Sequence, residues 1–319
     1  MANYDLTYTL PIIVWLLASG AVAADYELVG RIVPETEASV SLHGATKPFE
    51  SATLSDLRGR FRFRKLAAGT YTLAVFEPER GEARQTIEVG PGMADSKGRV
   101  NVTLHLGTVR FESNDPRRRR ATISARELSI PARARQEYEE AQKHLSRPDV
   151  DGAIARLQRA VEIAPQFSAA WNRLGTIAYQ SRKYAEAENY FRKSLAADPQ
   201  AFEPLVNLGG VLLNLGKPDE ALQLNLYAVL RRPSDALANS QLGMSYFLSR
   251  KPDLAEKYLT IAKQLDPAHF SHPQLMLSEI HLQRNERAAA IEELEDFLRR
   301  HPDAPEAAGV KATITRLRQ

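Results

Sequence analysis

The chain contains no cysteine. Disulfides, thiol nucleophiles and thiolate-bound metals are therefore excluded from its chemistry. Net charge is also scarce: 42 Lys and Arg stand against 39 Asp and Glu, a formal +3 over 319 residues. So small an excess does not describe a dedicated nucleic-acid binder, which must neutralise several phosphates. Missing too are the P-loop, GxSxG, HExxH and dinucleotide-binding patterns that announce common enzyme chemistries. His269 and His272 give an HxxH spacing, but without a third ligand beside them they make a turn between elements rather than a metal site. No cofactor and no metal are expected.

Leu10–Ala24 is fifteen residues without a charge. That is short of the roughly 20 apolar residues a membrane span needs. The run ends in small residues, Ala21-Val22-Ala23, before Asp25, as the core and cleavage site of a secretory signal do. One feature departs from that pattern, since Asp5 precedes the run and no Lys or Arg does. The expectation is an exported protein of the periplasm or cell envelope with residues 1–24 removed. A retained N-terminal anchor is the alternative, and the only route to a membrane.

From Tyr26 to about Phe111 apolar residues recur with period two, in short runs broken by Gly and Pro. This predicts a small sandwich of about seven antiparallel strands over residues 25–112. In RGRFRFRKLAAGTYTLAV, Arg58 to Val75, Phe61 and Phe63 fall on one face and Arg60, Arg62 and Arg64 on the other. The chain then turns at Ala67-Ala68-Gly69, and Tyr71, Leu73 and Val75 return along the buried face. The phenylalanines are thus spent in the core and unavailable to stack on bases, and nucleic acid is not the expected partner. The pattern from Gly59 to Val75 is similar to the carboxypeptidase regulatory-like domain, a transthyretin-like β-sandwich. That resemblance covers about Tyr26 to Leu106 and implies an accessory module without peptidase chemistry.

Residues 113–133 read as a basic linker with Arg117–Arg120 as a solvated run. From about Ala134 the period becomes helical, and a longer repeat lies above it. Pro165, Pro199, Pro233 and Pro267 are 34 apart; so are Ala153, Ala187, Ala221 and Ala255, and Gly175, Gly209 and Gly243. Within Ser168–Ala201, Trp171, Leu174, Gly175 and Ala178 share one helix face, and Ala187, Phe191 and Ser194 another. The unit resembles the tetratricopeptide repeat in its W-x2-L-G…A-x3-F…P pattern. About five copies fill residues 134–303, with Asn225 where the third usually has an aromatic, and 304–319 form a capping helix. The fold expected is multidomain, an all-β sandwich followed by an all-α tetratricopeptide solenoid.

Arrays of this family present the inner faces of their first helices as a groove, commonly for an extended peptide. The phase facing that groove holds Arg173, Asn207 and Gln241, each 34 apart, with Gln180 and Asn214 two turns further on. Asn172 and Tyr179 neighbour the ladder. Repeated polar side chains of this kind can hydrogen-bond a peptide backbone independently of its sequence. The function expected is a non-enzymatic, exported interaction scaffold holding a protein or peptide segment in the groove. The alternative is a polysaccharide-binding accessory protein, using Phe49 and Phe76 of the sandwich.

Overall fold

The computed structural model describes residues 25–77, 81–106, 112–113, 129–147 and 149–319. The expected leader and the Arg117–Arg120 run lie outside them. Among the described residues eight strands come first: β1 (Tyr26–Val33), β2 (Ser39–Gly44), β3 (Glu50–Leu54), β4 (Arg60–Leu66), β5 (Gly69–Glu77), β6 (Gly81–Val89), β7 (Arg99–His105) and the two-residue β8 (Glu112–Ser113). They form a three-stranded sheet, β4-β1-β7, and a five-stranded one, β3-β2-β5-β6-β8. Alternation decides what each face does. Phe61 and Phe63 are buried with Leu28, Tyr71, Leu73 and Val75 between the sheets. Arg60, Arg62 and Arg64 are exposed, and the last two pair with Glu27 on β1. One pairing differs from an all-antiparallel meander: β7 runs parallel to β1, from Glu27 opposite Arg99 to Val33 opposite His105. After β6 the chain leaves the large sheet and crosses to the small one, so it returns in the direction of the first strand rather than as its hairpin partner.

Among the described residues eleven helices follow: α1 (Ala132–Leu145), α2 (Val150–Ile163), α3 (Ser168–Gln180), α4 (Tyr184–Ala197), α5 (Phe202–Asn214), α6 (Pro218–Arg231), α7 (Ala236–Leu248), α8 (Pro252–Leu265), α9 (Pro273–Gln283), α10 (Arg287–Arg300) and α11 (Ala307–Leu317). They stack as five antiparallel pairs and one last helix, which covers Leu294 and Phe297 with Val310 and Ile314. The 34-residue spacing has a packing cause. A Cβ on Gly175 would lie 2.6 Å from the ring of Phe191, and one on Gly243 would lie 2.6 Å from Leu259. In the second, third and fourth pairs the first helix is bare where the side chain four residues after Ala187, Ala221 or Ala255 of the second arrives. In the third pair that side chain is Asn225, wholly buried, whose Nδ2 donates to Ser245 Oγ at 2.9 Å.

The sandwich does not trail from the solenoid; it sits on the solenoid's inner face. Cross-strand pairing sets Glu50, His43, Thr72 and Thr86 in one row on the outward side of the large sheet. That row meets the helices. Glu50 pairs with Arg173 of α3 at 2.9 Å and accepts from Gln142 of α1 at 3.2 Å. Thr86 donates through its backbone N (3.0 Å) and Oγ1 (2.6 Å) to Asp266, just after α8. Further on, Glu88 meets Nδ1 of the fully buried His301 at 3.1 Å, and the backbone N of Gly92 donates to Asp303 at 2.8 Å.

Several histidines lie along this contact. Burial, then the charges of Arg173 and Arg84, push the His43 imidazole down to about 3. Its other neighbours are Ser41 Oγ at 3.0 Å and Glu50 at 3.8 Å. His272 is pushed to about 3 by burial and by His301 and His269, and burial lowers His269 as well. A histidine freed from the fold titrates near 6.5, so below that pH the unfolded chain takes up protons that the folded chain refuses.

Two outcomes follow from this packing. Gly175→Val should lower stability by about 1–3 kcal/mol in chemical denaturation, because Phe191 has no room to yield; an unchanged midpoint would contradict the close approach. Stability should also fall as pH drops from 7 to 4.5, by up to about 3 kcal/mol for each histidine held near 3. Carboxylates held low, such as Asp296 at about 2, lose their contribution only at more acidic pH. A His43→Gln, His272→Gln double variant should flatten the melting-temperature profile in that window, and a profile as steep as the wild type would refute the assignment.

Candidate functional site

Between the outward face of the large sheet and helices α3, α5, α7 and α8 lies a cavity of about 340 Å³. That is within the roughly 300–1,000 Å³ range of small-ligand pockets. Its solenoid wall is the inner face that the repeat phase singled out. Asn172, Arg173, Tyr179, Gln180, Asn207 and Gln241 all line it; Asn214 does not.

The structure divides these residues into two groups. Arg173 and Gln180 are engaged by the sandwich. Arg173 is tied to Glu50, and its guanidinium is raised in pKa: burial opposes the charge, but Tyr138 and Glu50 outweigh it. Gln180 donates from Nε2 to the carbonyl of Gly44 at 2.8 Å. These two side chains already read a backbone and a carboxylate, both belonging to the same chain.

The second group faces what space remains. Asn207 Nδ2 donates to Asn172 Oδ1 at 3.2 Å, joining neighbouring repeats sideways. The Gln241 amide lies over the bare backbone of Gly210, where a Cβ would come within 2.5 Å of its Nε2. Any larger residue at 210 would push the amide aside. Its Oε1 accepts no hydrogen bond from a described residue. At the rim, Asn214 donates to the Tyr179 hydroxyl at 3.2 Å and to the Gly210 carbonyl at 2.9 Å, and burial raises the Tyr179 pKa.

Other cavity residues gave no signal in the repeat phase. Glu82, Arg84 and Thr86 come from β6, and Glu203, Asp235 and Asp266 from helix starts and the loop after α8. On a strand read alone, Thr86 and Arg84 look like the wet side of an alternating pattern. Apolar walls come from Phe202, Val206, Leu237, Leu265 and Phe270. The sandwich aromatics named for a polysaccharide are placed differently: Phe49 is half-buried, edge-on to Tyr71 at 5.4 Å, and Phe76 is half-buried on the outer face of β5. Among the described residues no group of His, Asp and Glu is placed to hold a metal ion, and no helix is long and apolar enough to cross a membrane.

Comparison with known proteins agrees on the helical part. One tetratricopeptide-repeat family model matches residues 138–202 and 275–315, and a second matches 178–240. No curated protein matches the chain in sequence. Among solved structures, the chain is similar to PilW, a widely conserved type IV pilus biogenesis factor, at 19% identity and a TM-score of 0.52, over 59% of this chain and 86% of that one. It is similar to pilF of Pseudomonas aeruginosa at 20% identity and a TM-score of 0.50, over 61% and 86%. MamA of Desulfovibrio magneticus RS-1 matches at 20% identity and a TM-score of 0.48, over 56% and 99%. At such identities the likeness is one of fold. The helices from Ala132 onward are a tetratricopeptide-repeat solenoid, and this one carries a β-sandwich on its inner face.

Proposed function

We propose that this protein is a non-enzymatic interaction scaffold that holds a short segment of a partner protein in the cleft between its sandwich and its solenoid. Tetratricopeptide arrays are protein-binding scaffolds, and the reading applies that to this chain's inner face. The observation that carries it is the placement of Asn172, Asn207 and Gln241 around one cavity, with a Gln241 oxygen that accepts no hydrogen bond from a described residue. A buried amide oxygen without a donor costs free energy until something supplies one. A peptide backbone supplies donors and acceptors at regular spacing, which suits a ladder repeating from helix pair to helix pair.

The sandwich, which we take as an accessory module of carboxypeptidase regulatory-like type, forms the opposite wall. It shortens the site: an extended peptide along the whole inner face would collide with β2 and β6, so the bound segment is a few residues long. Export to the periplasm or cell envelope is part of the proposal and rests on Leu10–Ala24 with its small-residue end.

The decisive measurement is capture from envelope extract on immobilised full-length protein. Asn172→Ala, Asn207→Ala and Gln241→Ala together should reduce captured partner at least about tenfold, since several hydrogen bonds are lost at once. A folded triple variant with an undiminished partner set would sink the reading. Arg173 is left out of the triple because its loss would also loosen the sandwich.

A further inference from the structure

The charge inside the cleft is unbalanced. Four carboxylates line it (Glu82, Glu203, Asp235 and Asp266) against two guanidiniums, Arg84 and Arg173. Arg173 is already neutralised by Glu50, outside the lining; Arg84 lies beside Glu82 and Glu203, and Glu203 is also paired with Arg232. The two lining histidines add no positive charge, because burial keeps His43 and His269 neutral at ordinary pH.

Asp266 is where the deficit concentrates. It is 7% exposed, and its Oδ2 accepts both bonds from Thr86. Its Oδ1 accepts none from any described residue. A buried carboxylate held by one hydroxyl and one N–H, with no cation beside it, is far from satisfied. Around it the wall is apolar: Leu237, Leu265 and Phe270 come from the same end of the solenoid, and Phe202 from α5. An aliphatic stem suits such a wall, and a cationic head suits the carboxylate at its end.

We propose that the cleft selects a partner segment bearing a lysine or arginine, whose charged head pairs with Asp266 while its methylene stem lies on the apolar wall. Asp235, which acts on His269 together with Asp266, adds to the negative field, and the Gln241 oxygen accepts a donor from the same segment. This deepens the groove reading and rests on it for the entry of a peptide, but it adds a chemical preference that the amide ladder alone does not have.

The test uses the full chain and acetylated, amidated pentapeptides Ala-Ala-X-Ala-Ala, with X lysine, arginine, norleucine or glutamate, titrated by calorimetry or NMR. Lysine and arginine peptides should bind at least about tenfold more tightly than norleucine, and glutamate should be the weakest. Asp266→Asn should bring the lysine peptide down to the level of norleucine. Thr86→Val removes a hydroxyl from the same carboxylate but keeps its charge, so the preference should survive there. Equal affinity for lysine and norleucine, failure of every peptide to bind, or a preference that persists in Asp266→Asn would overturn the proposal. The two readings separate cleanly. Partner capture lost in the amide triple but kept in Asp266→Asn leaves the groove standing and removes the cation. A lysine preference in a protein whose capture ignores the triple does the reverse.

Discussion

The docking of one polar sheet face against the inner side of the helical array governs everything else in this molecule. It consists of few, widely separated contacts, and most are charge-assisted or made to backbone groups. Glu50 with Arg173, Gln180 with the Gly44 carbonyl, Asp266 with Thr86 and Glu88 with His301 are spread from the second helix pair to the last. Bonds of this kind are directional and demand register, unlike an apolar contact that tolerates sliding. They fix which strand faces which helix, and so decide which part of the solenoid's face is covered and which is left as the cleft.

The same docking explains the division of labour among the ladder residues. A repeat array places equivalent side chains at equal intervals, but the sandwich breaks that equivalence. Arg173 and Gln180 face strands at the near end, while Asn207 and Gln241 face the gap. Residues that are twins by repeat phase thus have different neighbours and different roles. The cleft is a composite, with one wall from each domain, and it belongs to neither alone.

Much of the fold was legible in the sequence because its causes are local. Phe61 and Phe63 alternate with arginines, and alternation alone assigns them to the core. Gly175 and Phe191 are sixteen residues apart within one helix pair, and their fit recurs with the 34-residue period. The parallel pairing of β1 with β7 was not legible, since it depends on where the chain crosses between sheets. The docking was not legible either. Thr86 and Asp266 are 180 residues apart and His301 and Glu88 are 213 apart, and each looks like an ordinary surface residue in its own element. Polar groups that meet across domains carry no periodic signature, so the sequence pointed to the inner face while giving no sign of what covers part of it. Asp266, the residue that sets the charge of the cleft, follows a helix end where an aspartate before proline has a sufficient local reason to be.

A stack of helix pairs touches only its nearest neighbours, so small rotations between pairs add up and the array as a whole behaves as a spring. Here the spring is strung. The sandwich reaches from Gln142 in the first pair to Asp303 beyond the fifth, as a chord across the curve. With the chord in place the pitch cannot change without breaking a named contact at one end or the other. The cleft therefore has one fixed width, and what it accepts is gauged by the length of the chord.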